Sequence, residues 1–252
     1  MATDLTLAQH LDGFRAALVG FVRHAERAGL EAAVPTTPDW TVRRLVAHQG
    51  MVHRWAASIV QGEQGDPDAY ERDGQAAPDP LEWLRDGAID LALAITRSPE
   101  DLDALVFLED APPARRFWAR RQCHETTIHA VDAVSAALGR MPHAADTWIS
   151  DEVALDGVDE LLAGFLTRTR SRLRCDDEMT LAVRPDGAAD GWQVRIGPGP
   201  AVTTRVVDPD GDVVLAGPPV ALYLTLWNRS DEVTPQDSSL DVWRDLARVT
   251  WS

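Results

Sequence analysis

Residues 120–129 read RRQCHETTIH and lie within a segment whose apolar positions recur at helical spacing. Residues four apart share one face of an α-helix, so Glu125 and His129 are stacked there. A carboxylate and an imidazole in this arrangement can bind one divalent metal ion. His124 and His129 are about 140° apart around the helix, which excludes the zincin pattern of two histidines on one face. The stretch predicts two metal ligands on one helix or, without a metal, an ordinary hydrogen-bonded pair.

A third ligand is available on a second predicted helix, over residues 42–61. This helix carries His48 and His53, which point about 140° away from each other. At most one of them can therefore face the bundle interior in the same layer as Glu125 and His129. A set of His48, Glu125 and His129 would supply two nitrogens and one oxygen with open coordination positions, as in a catalytic zinc site. The alternative is that His48 is a histidine at the edge of the core or on the helix surface.

Other side chains in the two helices have expected supporting roles. Asp132 lies one turn beyond the predicted ligand pair and could accept a hydrogen bond from its imidazole, or be a simple exposed carboxylate. Cys123 points about 200° away from the carboxylate of the pair and is expected to pack in the core. His53 and His124 are expected to be structural or solvent-facing.

The remaining sequence predicts an α+β protein. Helices are expected over residues 5–30, 42–61, 81–97 and 115–138, and they predict a four-helix bundle. A polar segment rich in Gly, Asp and Pro, residues 62–80, is expected to be a long loop. Later elements are a helix over 150–172, strands over 179–184, 191–196, 201–207 and 212–216, a helix over 218–227 and an irregular tail over 230–239. Two domains are therefore expected, residues 1–145 and residues 146–252.

Composition restricts the class of partner. The chain has 252 residues and a formal net charge of −16, and every basic residue except histidine is arginine. This charge argues against nucleic acid or an anionic membrane surface as a partner. With no signal-peptide pattern and no apolar run long enough for a bilayer, a cytoplasmic location is expected. The protein is expected to be a monomer or a homodimer. Cys123 and Cys175 are far apart in sequence and are expected to be free thiols.

Three motifs resemble the actinobacterial mycothiol-dependent maleylpyruvate isomerase family. The first is DWTVRRLVAH at residues 39–48, followed by VHRW at 52–55. The second is Arg-x-x-His-Glu-x-x-x-His-x-x-Asp-Ala over residues 121–133, and the third, weaker one is LTLWNR at 224–229. The family is similar to the DinB-like superfamily of metal-binding four-helix bundles and has a smaller C-terminal α/β domain, similar to sterol-carrier folds.

The resemblance implies a divalent metal, usually zinc, bound by His48, Glu125 and His129, and mycothiol, a low-molecular-weight thiol, as cofactor. Metal coordination favours the reactive thiolate at neutral pH. In the isomerase reaction, the thiolate would add to an activated cis double bond, permit rotation and leave as the trans product forms. Arg229 in the C-terminal domain is the candidate cation for an acidic substrate, because an arginine fork suits a carboxylate. The alternative for Arg229 is a surface arginine after a helix end.

We therefore expect a metal-dependent, mycothiol-using isomerase or S-transferase that acts on a small electrophile. One alternative is a non-catalytic metal-binding or regulatory module of the same fold. Another is a metal-dependent hydrolase, for which no general base can be named from the sequence. If the acidic segment 62–80 closes over the site, a less anionic substrate is expected.

Overall fold

The computed structural model describes residues 5–108, 110–235 and 240–247. Its first part contains α1 Leu7–Ala28, α2 Val42–Gln61, α3 Pro67–Ala76, α4 Pro80–Arg97 and α5 Ala114–Leu138. The four long helices, α1, α2, α4 and α5, pack against one another in every pairing and form a bundle. Within the described ranges, no helix combines the length and apolarity needed to cross a membrane.

Local signals set the ends of the bundle helices. The side chain of Thr6 accepts a hydrogen bond from the backbone of Gln9 and caps α1, and Thr41 caps α2 in the same way. Helix α5 ends at Gly139, which adopts a left-handed conformation with φ of 69°. Because such signals are local, the ends predicted for these four helices agree with the structure to within two residues.

The prediction of a long loop over residues 62–80 was wrong, since this segment contains α3. Asp66 caps the helix through its side chain, and Pro67 lies in its first turn. Gly74 allows close packing on α4, because a Cβ there would lie 2.6 Å from the ring of Trp83. Helix α3 thus packs against α2 and α4. The cap and the proline were visible in the sequence, but the high Gly, Asp and Pro content favoured a loop.

The second part consists of helices and one sheet. Its elements are α6 Asp151–Asp159, a π-helical extension Glu160–Phe165, β1 Met179–Pro185, β2 Asp190–Ile196, β3 Val202–Val207, β4 Val213–Gly217, α7 Pro219–Leu226 and α8 Asp241–Leu246. The strand order is β3-β2-β1-β4. Strand β1 pairs antiparallel with β2 and parallel with β4, and β2 pairs antiparallel with β3. Helix α7 packs against β1, β4 and α6, which completes the expected α+β architecture.

Two expectations for this part need correction. The helix predicted to continue to residue 172 ends at Phe165, and residues 166–170 form turns. The wider π-helical turn of Glu160–Phe165 breaks the helical repeat on which the prediction was based. Helix α8 was not predicted. Residues 230–235 of the predicted irregular tail contain no helix or strand, and residues 236–239 lie outside the described ranges.

A buried polar network joins the bundle to the second part. Its centre is Asp156 on α6, which is completely buried. The Oδ2 atom of Asp156 lies 3.0 Å from His10 Nε2, 2.6 Å from His124 Nε2 and 3.0 Å from Arg120 Nε. Burial opposes ionisation of Asp156, but hydrogen bonds from the two histidines outweigh it and hold its pKa far below the usual range. The division into domains at residue 145 therefore remains a proposal, and the two parts share a continuous polar interface.

The network continues through Asp159 of α6, which reaches the sheet, and through Glu160 of the π-helical extension, which reaches α5. Asp159 accepts hydrogen bonds from Arg205 Nε at 2.5 Å and from Trp192 Nε1 at 2.9 Å. Glu160 contacts Arg121. These carboxylates are paired with arginines that are buried or half-buried, which is the condition under which charges are tolerated in a protein interior.

Candidate metal centre

His48 on α2 and the pair Glu125 and His129 on α5 converge in the bundle. Each offers one donor atom, and the three atoms lie within 4.8 Å of one another. The Nε2 atom of His129 lies 3.3 Å from Oε1 of Glu125. Two ligands of a tetrahedral zinc ion, with bonds of about 2.0–2.1 Å, are separated by a similar distance. The packing of α2 on α5 thus brings together the three residues predicted as ligands.

Both candidate ligands on α5 are oriented by buried partners. His129 donates from Nδ1 to Asp132 Oδ2 over 2.9 Å, which directs Nε2 toward Glu125. Arg121 donates from Nη2 to Glu125 Oε2 over 2.9 Å and leaves Oε1 directed at His129. Asp132 is fully buried and also accepts a hydrogen bond from Thr36 Oγ1 at 2.6 Å. The predicted hydrogen bond between Asp132 and His129 is therefore confirmed.

The surroundings favour a different protonation state for each of the three groups. Burial, and then the nearby charge of His129, lowers the pKa of His48 to about 4, so His48 is neutral at pH 7. Burial opposes ionisation of Glu125, but Arg121 and His129 outweigh it and hold its pKa well below the usual range. Burial likewise disfavours charge on His129, but hydrogen bonds to Asp132 and Glu125 raise its pKa to about 9. A cation at this site would have to displace one proton, the one on His129.

We expect zinc affinity to rise about tenfold per pH unit between about pH 6 and pH 8, because binding releases that single proton. The raised pKa means that His129 keeps its proton through this range and loses it only as the pH rises through about 9. His48 contributes no proton, since its pKa of about 4 lies below the range. Competition with a zinc-binding dye measures the affinity, and calorimetry in buffers of different ionisation enthalpy counts the protons. A constant affinity, or release of two protons, would contradict this assignment.

Trp40 forms a wall of the candidate metal centre. Its ring stacks on that of His129 with centroids 6.0 Å apart, and it meets the ring of His48 edge-on at 4.9 Å. The backbone holds it in place, because Val34 N donates to Trp40 O and Trp40 N donates to Thr37 O. Sequence reasoning gave Trp40 no role. Its position just before the helix that carries His48 was the available signal.

Arg229 lies beside the centre, and its guanidinium forms an ion pair with Asp132. Nε donates to Asp132 Oδ1 over 2.7 Å, and Nη2 donates to Oδ2 over 3.2 Å. Nη1 donates to the carbonyl of Trp227 over 2.9 Å. The second part of the chain therefore contacts the candidate metal centre through Asp132. The expected contact between Arg229 and a substrate carboxylate stays a prediction.

His53 and Cys123 lie outside the centre. His53 is fully buried, with its Nε2 atom 2.8 Å from Gln49 Nε2 and 3.0 Å from Thr126 Oγ1. Burial, and then the charge of Arg54, lowers the pKa of His53 to about 3. Cys123 packs in the core as predicted, and burial raises the pKa of its thiol. Both histidine and thiol are therefore neutral structural groups, and Cys123 lacks the thiolate character of a nucleophile.

His10, His124 and Asp156 form a second group of candidate donor atoms. All three residues are buried, and Arg120 Nε lies 3.0 Å from the same carboxylate oxygen that faces the histidines. A guanidinium at this position repels a second cation and supplies the charge that the carboxylate needs. The group is therefore a hydrogen-bonded junction, and His124 is a buried structural residue.

The class of protein is defined by its fold and site. It is a helical bundle with three converging candidate metal ligands, followed by a small sheet domain. Two family models match the chain. The model for the mycothiol maleylpyruvate isomerase N-terminal domain matches residues 11–134, and that for the MDMPI C-terminal domain matches residues 152–249. The chain belongs to the mycothiol-dependent maleylpyruvate isomerase family.

Two solved structures have a similar fold. The crystal structure of the mycothiol-dependent maleylpyruvate isomerase gives a TM-score of 0.61 at 18% sequence identity. A crystal structure of that isomerase with a histidine replaced by alanine gives 0.63 at 17% identity. Each comparison covers 92% of this chain and 93% of the other. No functionally curated protein matches the chain.

Proposed function

We propose that this protein is a metal- and mycothiol-dependent enzyme that isomerises a small cis-unsaturated acid. The observation that carries the proposal is the convergence of His48, Glu125 and His129 within 4.8 Å. The family and the similar solved structures, named for mycothiol and maleylpyruvate, support the choice of thiol and of substrate class. Transfer of the thiol to another electrophile would use the same groups and is distinguished by the test below.

The donor set fits zinc. Two imidazole nitrogens and one carboxylate oxygen are typical ligands of catalytic zinc, and three protein ligands leave a position for a further ligand. The neutral His48 and the ionised Glu125 already have the protonation states that ligands need. When bound, the metal would lower the pKa of a thiol and hold it as the reactive thiolate at neutral pH.

The chain's own residues prepare the site. Asp132 selects the tautomer of His129 whose Nε2 faces the cluster, and Arg121 holds one oxygen of Glu125 so that the other is directed inward. Trp40 packs against the rings of both histidines and limits their rotation. A cis–trans isomerisation neither adds nor removes atoms. The protein therefore has to orient the substrate and stabilise the negative charge that develops on its conjugated carbonyl.

The test is turnover of a panel of cis-unsaturated acids and other small electrophiles, with and without mycothiol, by zinc-loaded and chelator-treated protein. We expect the trans isomer only when zinc and thiol are both present, with the thiol concentration unchanged. Thiol consumption with a stable thioether product would identify S-transfer instead. No turnover of any panel member by the loaded protein would contradict the proposal and favour a binding or regulatory module.

Within this proposal, Arg229 is a positioning residue that acts through Asp132. We expect Arg229→Gln to lower zinc affinity by about tenfold, because outer contacts of metal ligands contribute roughly 10–100-fold. Arg15→Gln is the matched control, since Arg15 forms an exposed pair with Asp12 on α1. The same dye competition measures both variants. If zinc affinity is unchanged and only KM rises, Arg229 contacts the substrate directly, as the sequence alone suggests.

A further inference from the structure

Within the described part of the chain, three arginines near the candidate metal centre differ in their partners. Arg121 is paired with Glu125 and Glu160, and Arg229 is paired with Asp132. Arg44 is exposed, and its guanidinium has no carboxylate partner among the described residues. It is therefore the cation at this site that is available to an anion from solution.

The position of Arg44 links it to the candidate ligands. Arg44 and His48 are four residues apart on α2 and share one face of the helix. The guanidinium carbon of Arg44 lies 5.0 Å from the ring centroid of Trp40, and this ring contacts those of His48 and His129. The indole thus connects a free guanidinium with the candidate metal centre.

The neighbouring Arg43 shows that this placement is specific. It points about 100° away around α2, and its Nε atom lies 3.4 Å from Glu31 Oε1. Arg43 and Arg44 have the same charge and adjacent positions, but only Arg44 contacts Trp40. The chain therefore offers a matched control residue.

We propose that Arg44 and Trp40 form the subsite that binds the carboxylate of an α,β-unsaturated acid, an inference that rests on the proposed function. The planar guanidinium can donate two parallel hydrogen bonds to a carboxylate, and the indole of Trp40 holds the guanidinium beside the candidate metal centre. A local cation is needed because the chain carries a net charge of −16, which repels anions at long range. The subsite selects acids over neutral electrophiles.

The test uses maleate as the probe and its dimethyl ester as the neutral analogue, with zinc-loaded protein and no thiol. Calorimetry should show that Arg44→Gln weakens maleate binding by about tenfold or more, as expected for loss of a charged hydrogen-bonding partner. Arg43→Gln should change it by less than about twofold, because Arg43 lies on another face. Binding of the ester should be equal in all three proteins.

Four results would contradict the proposed subsite. Arg44→Gln could bind maleate with wild-type affinity, or both variants could lose the same affinity for maleate. Arg44→Gln could also lose equal affinity for maleate and for the ester, or the wild type could fail to bind maleate. Because the assay contains no thiol and involves no turnover, it is independent of the proposed reaction. Thiol-dependent turnover of a neutral electrophile by wild type and Arg44→Gln alike would leave the proposed enzyme class intact while the subsite fails.

Discussion

Under the proposed function, His48→Ala is expected to lower zinc affinity by at least about 100-fold and to abolish thiol-dependent turnover. Loss of an outer contact alone weakens metal binding roughly 10–100-fold, and loss of a direct ligand removes more. His48 is neutral at pH 7, because burial lowers its pKa to about 4, and it forms no ion pair within the described ranges. The fold should therefore survive the substitution, so that the loss reports on metal binding.

The matched control for this result is His143→Ala. The side chain of His143 is 51% exposed and belongs to the connection between the two parts, outside the candidate centre. Metal analysis after dialysis should find near one equivalent of zinc in the control and less than about a tenth in His48→Ala. Equal zinc in both variants, with matching circular dichroism spectra, would remove His48 from the ligand set.

Asp156→Ala is expected to destabilise the protein by about 3–5 kcal/mol, because it leaves Arg120 buried without its closest carboxylate. It also removes the acceptor shared by His10 and His124. A decrease of this size in the free energy of unfolding lowers the midpoint of thermal unfolding by roughly 10 °C in a chain of this length. Urea titration and thermal denaturation of the wild type and the variant measure the two quantities.

A surface pair provides the comparison for this stability prediction. Asp146 accepts two hydrogen bonds from Arg140, and the side chain of Arg140 is 49% exposed. Asp146→Ala removes this exposed pair and a capping hydrogen bond from His143 N, and it should cost no more than about 2 kcal/mol. If Asp156→Ala costs no more than this control, the network at the junction does not hold the two parts together.

The helices of the bundle were predictable because their signals lie close together in the chain. Thr41 caps α2, Gly139 ends α5, and a spacing of four residues stacks Glu125 on His129. The same rules apply to Asp66 and Pro67 at the start of α3. The local signals for this helix are therefore present in the sequence, although its Gly, Asp and Pro content is typical of a loop.

The contacts that complete the candidate centre and the junction between the two parts join residues far apart in sequence. Arg229 reaches Asp132 across 97 positions, and His10 reaches Asp156 across 146. No spacing rule predicts such pairs, because they depend on how helices and sheet pack and on which buried charges need compensation. For the same reason, the sequence indicated Arg229 as the candidate cation for a substrate carboxylate, whereas the structure pairs Arg229 with Asp132 and leaves Arg44 exposed.

Helical periodicity and short motifs were sufficient for the fold class, the family resemblance and the three candidate ligands, because hydrogen bonds and side-chain faces within a helix repeat over a few residues. Folding in three dimensions was required to place Trp40 against both histidines and to select which arginine remains available to an anion. Packing brings these groups together only once the whole chain has buried its apolar surface. Burial, hydrogen bonds and neighbouring charges then set the charge that each group carries.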